Sequence, residues 1–141
     1  MKYTYKFSDL DNSKVSEVGG KNASLGEMFV QLKSRGILVP DGFATTASAY
    51  RKFINDNAVK KHIEELLADL DVTNQENLTG AGEKCRNIIM ECDIPGNIRE
   101  DILESYSRLK KREETLTSVA VRSSATAEDL PDASFADRKS V

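Results

Sequence analysis

"VGGKNASLGEMFVQLKSRG", residues 18–36, carries the most regular pattern in the chain. Leu25, Met28, Phe29 and Leu32 fall at i, i+3, i+4 and i+7, a single apolar stripe that predicts a helix over 22–35. Gly36 stands where a glycine ends a helix in the left-handed conformation. Ahead of the helix, Gly19-Gly20 punctuates the chain. Before that, residues 2–7, KYTYKF, alternate in β-rich composition and read as a strand.

Working outward, Val39-Pro40-Asp41-Gly42 has the composition of a turn. Phe43–Thr46 reads as a short strand feeding a helix over 47–54. Val59, Ile63, Leu66, Leu67 and Leu70 mark the next helix. Thr73-x-x-Glu76 resembles a capping box before another, striped by Leu78, Ala81, Cys85, Ile88 and Ile89. Gly80 and Gly82 weaken that helix by about 1 kcal/mol each relative to alanine. Pro95 opens the last helix, with Ile98, Ile102, Tyr106 and Leu109 on its apolar side. Ser118–Arg122 then predicts a buried strand. The order of elements is that of an α/β fold with a helix-rich middle.

The length of 141 residues, 39% hydrophobic and 30% charged, suffices for one domain with a core. A net charge of −3 argues against a general nucleic-acid or membrane-surface binder. No apolar run reaches the roughly 18 residues a membrane span needs, and MKYTYKFSDL has no apolar core of a secretory signal. Cys85 and Cys92 match neither a zinc motif nor a redox pair. Free thiols without an export signal lead to the expectation of a cytoplasmic protein.

Two places depart from packing logic. Gly19-Gly20-Lys21-Asn22 sits at a helix start, where backbone N–H groups favour an anion and Lys21 adds a mobile positive charge. The spacing is not that of a P-loop, and a GGK before a helix is more often a turn with a solvated lysine. The second place is 122–129. The Arg122 fork can grip phosphate oxygens, Ser123, Ser124 and Thr126 can donate to the same oxygens, and Glu128 and Asp129 could reach a hydrated magnesium ion. The competing reading is a polar loop with Arg122 in a salt bridge. His62, the lone histidine, reads as a solvated or partly packed helical residue. Cys85 reads as core, and Lys110–Glu114 as a solvated helix end.

Three blocks, "VGGKNASLGEM" (18–28), "VPDGFATTASAY" (39–50) and "VAVRSSATAEDLPDASFA" (119–136), resemble in order and spacing the N-terminal ATP-binding region of the phosphoenolpyruvate/pyruvate dikinase family. Their wording is nearest its phosphoenolpyruvate synthase (pyruvate, water dikinase) branch. The phosphate dikinases carry RSGA and a methionine-rich loop at the third block instead. Rifampin phosphotransferases and glucan water dikinases share the module and are the alternative parents. A degenerate non-catalytic interaction domain is a further alternative.

The resemblance implies the N-terminal subdomain of an ATP-grasp nucleotide-binding domain, with ATP and Mg2+ as cofactors. It implies a kinase-type transferase that passes a phosphoryl group through a histidine on another domain to pyruvate. Lys21 and Arg122 resemble the family's triphosphate-contacting pair, and residues 123–136 its loop over the phosphates. The metal ligands and the phosphorylated histidine are expected outside this sequence, so no catalytic set is complete within it. The family continues past "SFA" with a glycine and a strand, where this sequence has Asp137-Arg138-Lys139-Ser140-Val141. The expectations are therefore a partial ATP-binding domain over 1–136, incomplete at its C-terminus, and a divergent tail over 137–141. Such a chain alone is expected to be inactive, and to self-associate through an incomplete sheet edge.

Overall fold

The computed structural model describes residues 2–68, 70–71, 73–112 and 118–126. Strand β1 (Thr4–Lys6) pairs antiparallel with β2 (Phe43–Thr45), matching Thr4 with Thr45, Tyr5 with Ala44 and Lys6 with Phe43. The pairing extends one step at each end. The Phe7 N–H donates to the Gly42 carbonyl and the Thr46 N–H to the Tyr3 carbonyl, both at 3.0 Å. Between the strands lie two single 3-10 turns (Phe7–Asp9 and Asn12–Lys14), the short helix α1 (Val15–Val18) and α2 (Gly20–Lys33). After β2 come α3 (Ala47–Asp56), α4 (Val59–Leu67), α5 (Gln75–Met90) and α6 (Gly96–Arg112). The fold is α/β and helix-rich, as the pattern of elements predicts.

A two-stranded ribbon this short does not stand alone and needs packing on its faces. Strand alternation directs Tyr5 and Ala44 to one face, against a core of Leu10, Val18 and Ala23 completed by Phe7 and Val15. It directs Thr4 to the other face, where α6 lies. There the Thr4 and Ser105 hydroxyls share a 2.8 Å hydrogen bond, and the Tyr3 N–H donates to the Asp101 carboxylate at 3.0 Å. Thr4 is buried, and leaving such a hydroxyl unpaired would cost about 1–3 kcal/mol. The end of α6 is fastened separately. Arg112 Nη1 lies 2.9 Å from Asp41 Oδ2, whose side chain is only 3% exposed and also accepts from the Gly42 N–H at 2.7 Å. The basic run at 110–112 is thus not wholly solvated. Lys110 and Lys111 are exposed, but Arg112 answers a buried carboxylate. Asp41 is drawn inward by that pair, and 39–42 leads into β2 without a regular turn.

Several local expectations shift for identifiable reasons. The buried positions of α2 are Ala23, Gly26 and Phe29, while Met28 is 45% exposed. The helix presses its small-residue side onto the segment ending at Leu10, so closely that a Cβ on Gly26 would come within 2.7 Å of the Leu10 carbonyl oxygen. Helix α5 is capped by Asn74, whose side chain accepts from the Glu76 and Asn77 N–H groups. Thr73 turns back to bond Asp71 instead of forming the capping box. The amide of Asn57 bridges the Phe53 and Asp93 carbonyls at 2.9 and 3.0 Å, holding the end of α3 to the α5–α6 connection. The largest correction is at 118–122. This stretch belongs to no strand, and Val119 and Val121 are 45% and 93% exposed. A short apolar run becomes a buried strand only beside a partner, and among the described residues the sheet ends at its two strands.

Candidate functional site

The candidate site is built around the start of α2. Helix α1 ends at Val18, and α2 begins at Gly20 after one residue, Gly19, with φ 83° and ψ 157°. Gly19 brings no side chain to cap α2 and the first turn carries no acidic residue, so the positive end of the helix dipole is not offset within the helix itself. The preceding turn is braced. Glu17 accepts from the Tyr5 hydroxyl at 2.9 Å and from the Lys14 ammonium at 2.8 Å. Lys14, and then Tyr5, hold the Glu17 carboxyl below the usual carboxylate range. The same contacts push the Lys14 ammonium and the Tyr5 hydroxyl up. The ammonium groups of Lys2 and Lys14 also lie 4.5 and 5.6 Å from the centre of the Tyr5 ring.

The segment 118–126 returns to this helix start. The Ser124 hydroxyl donates to the Val18 carbonyl at 3.3 Å, and the Asn22 side chain donates to the same carbonyl at 2.8 Å. A cleft of about 310 Å³ opens between the two segments, lined by Gly20, Lys21, Asn22 and Ser24 from α2 and by Arg122 and Ser123 from the loop. Of the residues singled out from sequence, Lys21, Arg122 and Ser123 therefore share one wall-to-wall cleft. Ser124 is turned to the backbone of Val18, and Thr126 is exposed beyond it. Glu128, Asp129 and the rest of the loop through Ala136 lie outside the described residues, as does the 137–141 tail. Among the described residues no three His, Cys, Asp or Glu side chains converge as a metal would require.

A cleft with this lining is chemically apt for phosphate. Two cations flank a helix N-terminus, and a hydroxyl stands beside them. Sequence reasoning found the lysine, the arginine and the hydroxyl from their types. It missed the part played by Asn22 and the Val18 carbonyl, since nothing in the order of residues signals a carbonyl shared by two side chains. No helix among the described residues is long and apolar enough to cross a membrane.

Comparison with known proteins points the same way. The family model described as "Pyruvate phosphate dikinase, AMP/ATP-binding domain" matches residues 15–139. Phosphoenolpyruvate synthase of Synechocystis is 45% identical over 138 residues, covering 94% of this chain. The Helicobacter pylori and Escherichia coli phosphoenolpyruvate synthases are each 44% identical, over 99% and 94% of the chain. The chain spans 17% of the length of each of these three relatives. With the family model covering nearly all of it and these identities running almost end to end, this chain belongs to the pyruvate phosphate dikinase AMP/ATP-binding domain family.

Proposed function

We propose that this chain is the ATP-binding N-terminal portion of a phosphoenolpyruvate synthase-like dikinase. The parent reaction would convert ATP, pyruvate and water to AMP, phosphoenolpyruvate and phosphate. The observation that carries the reading is that Lys21 and Arg122, from opposite ends of the chain, line one cleft at the start of α2. Phosphoryl transfer asks the protein mainly for positioning and for charge opposite the phosphates, which is what such a cleft offers. Lys21, Arg122 and Ser123 would hold the triphosphate. Thr126 would add a hydroxyl from the same loop, and Ser124 would shape it. Mg2+ would enter with the nucleotide, since magnesium is held largely by substrate phosphates and water and needs few protein carboxylates. The architecture would be the first subdomain of an ATP-grasp domain, spanning 1–136, with 137–141 outside it. The three relatives above all carry the phosphoenolpyruvate synthase name, which favours this parent over a rifampin or glucan dikinase.

The test is a two-dimensional amide NMR titration with MgATP. Shifts are expected at Gly19–Asn22 and Arg122–Thr126. Lys21→Ala and Arg122→Ala should each weaken binding about 10- to 100-fold, the loss of one charge-assisted hydrogen bond. Binding that survives both substitutions unweakened would sink the assignment. The exposed Val119–Val121 stretch, unpaired among the described residues, favours a second reading, strand pairing between two copies of this chain. Sedimentation velocity decides it, because a monomer across the micromolar range excludes such pairing.

A further inference from the structure

We propose that Ser124 and Gly19 form a latch that sets Arg122 opposite Lys21, with Ser124 acting as a positioning residue and not as a phosphate ligand. The proposal rests on the nucleotide reading of the cleft. Its first support is hydrogen-bond accounting. A serine hydroxyl has one proton to give, and here it goes to the Val18 carbonyl. Phosphate oxygens only accept, so the Ser124 side chain has no donor left for them. Ser123, one residue earlier, lines the cleft and keeps that role. The Val18 carbonyl takes Asn22 as its second donor, filling both lone pairs and fixing the point on which the loop hangs.

The second support is steric. The Gly19 backbone, at φ 83° and ψ 157°, lies in a region that glycine alone occupies readily. A Cβ there would meet the Ser124 hydroxyl and stand 2.8 Å from the Ala125 carbonyl oxygen. The missing side chain is the space into which the loop closes. Lys21 follows Gly19 by two positions and Arg122 precedes Ser124 by two, so the latch fixes the spacing of the two cations.

The test compares the unsubstituted 141-residue chain with Ser124→Ala, Ser124→Thr, Arg122→Ala and the Arg122→Ala/Ser124→Ala pair. Backbone heteronuclear NOEs without ligand report loop order, and NMR titration reports MgATP affinity. Ser124→Ala should lower the NOEs of Arg122 and Ser123, leave the Ala23 and Ala44 amides in place, and weaken MgATP roughly 5-fold. Ser124→Thr, which keeps the hydroxyl, should retain both loop order and affinity. In the double variant Ser124→Ala should add much less to Arg122→Ala than it costs alone, because Arg122 is the main load the latch carries and only Ser123 remains. Full additivity would make Ser124 a direct ligand and overturn the proposal, as would loop order indifferent to Ser124→Ala. If the unsubstituted chain ignores MgATP, the nucleotide reading falls and the positioning role with it. The NOE comparison tells that failure from a failure of the latch.

Discussion

Alanine at position 19 and alanine at position 36 make a matched experiment. Both glycines have positive φ, 83° and 78°, but their surroundings are opposite. At Gly36 an added Cβ meets nothing within 4 Å, so Gly36→Ala should cost only the left-handed backbone penalty, about 1–2 kcal/mol. At Gly19 the backbone falls in a rarer region, worth about 1–3 kcal/mol to a residue with a side chain. The Cβ would also stand 2.8 Å from the Ala125 carbonyl, a contact relieved only by moving the 122–126 segment. The Ser124–Val18 bond then goes too, for about 1 kcal/mol more. Gly19→Ala is therefore expected to lose about 2–4 kcal/mol in urea unfolding and most of its MgATP response. Gly36→Ala should keep that response intact. Equal stability loss in the two variants, with nucleotide response retained in both, would refute the assignment of Gly19 as the seat of the loop.

Three further outcomes follow from other contacts. Arg112→Met should cost about 2–3 kcal/mol in urea unfolding, because it leaves the Asp41 carboxylate buried with one backbone donor; the cost is smaller than for a fully buried pair because the Arg112 side chain is 39% exposed. Coupling below about 0.5 kcal/mol in a cycle with Asp41→Asn would deny the pair any net role. Asn74→Ala should cost about 1 kcal/mol through its cap on α5, whereas Thr73→Ala should leave helix content unchanged by circular dichroism. Glu17 has a depressed folded-state pKa, so its contribution is present above its ordinary value of 4.5 and fades as pH falls through the lower folded value. The raised Lys14 contributes fully below its ordinary value of 10.5 and fades as pH rises past it. Glu17→Gln should accordingly flatten both the acid and the alkaline limbs of a stability-versus-pH curve. Limbs of unchanged steepness would count against that network.

Much of the molecule was legible before any coordinates. Helices announce themselves by local periodicity, and α2, α4, α5 and α6 lie where apolar spacing and Pro95 put them. Strands β1 and β2 follow from β-rich composition next to turn residues, and Lys21 and Arg122 from charge set beside glycine and hydroxyls. All of these are decided within a few neighbouring residues, which is why order alone reveals them. What only the tertiary structure decided involves partners distant in the chain. Whether 118–122 is a strand depends on a neighbour to pair with, and none stands beside it among the described residues. Which face of α2 is buried depends on how close Leu10 comes, so Ala23 and Gly26 join Phe29 in the core while Met28 stays exposed. Arg112 looked like one more solvated cation until Asp41 was found beneath it. Lys21 and Arg122 line one cleft only because the 118–126 segment returns to the start of α2, where the Ser124 hydroxyl meets the Val18 carbonyl. Sequence determines what each residue can offer, and the folded chain determines who is near enough to accept it.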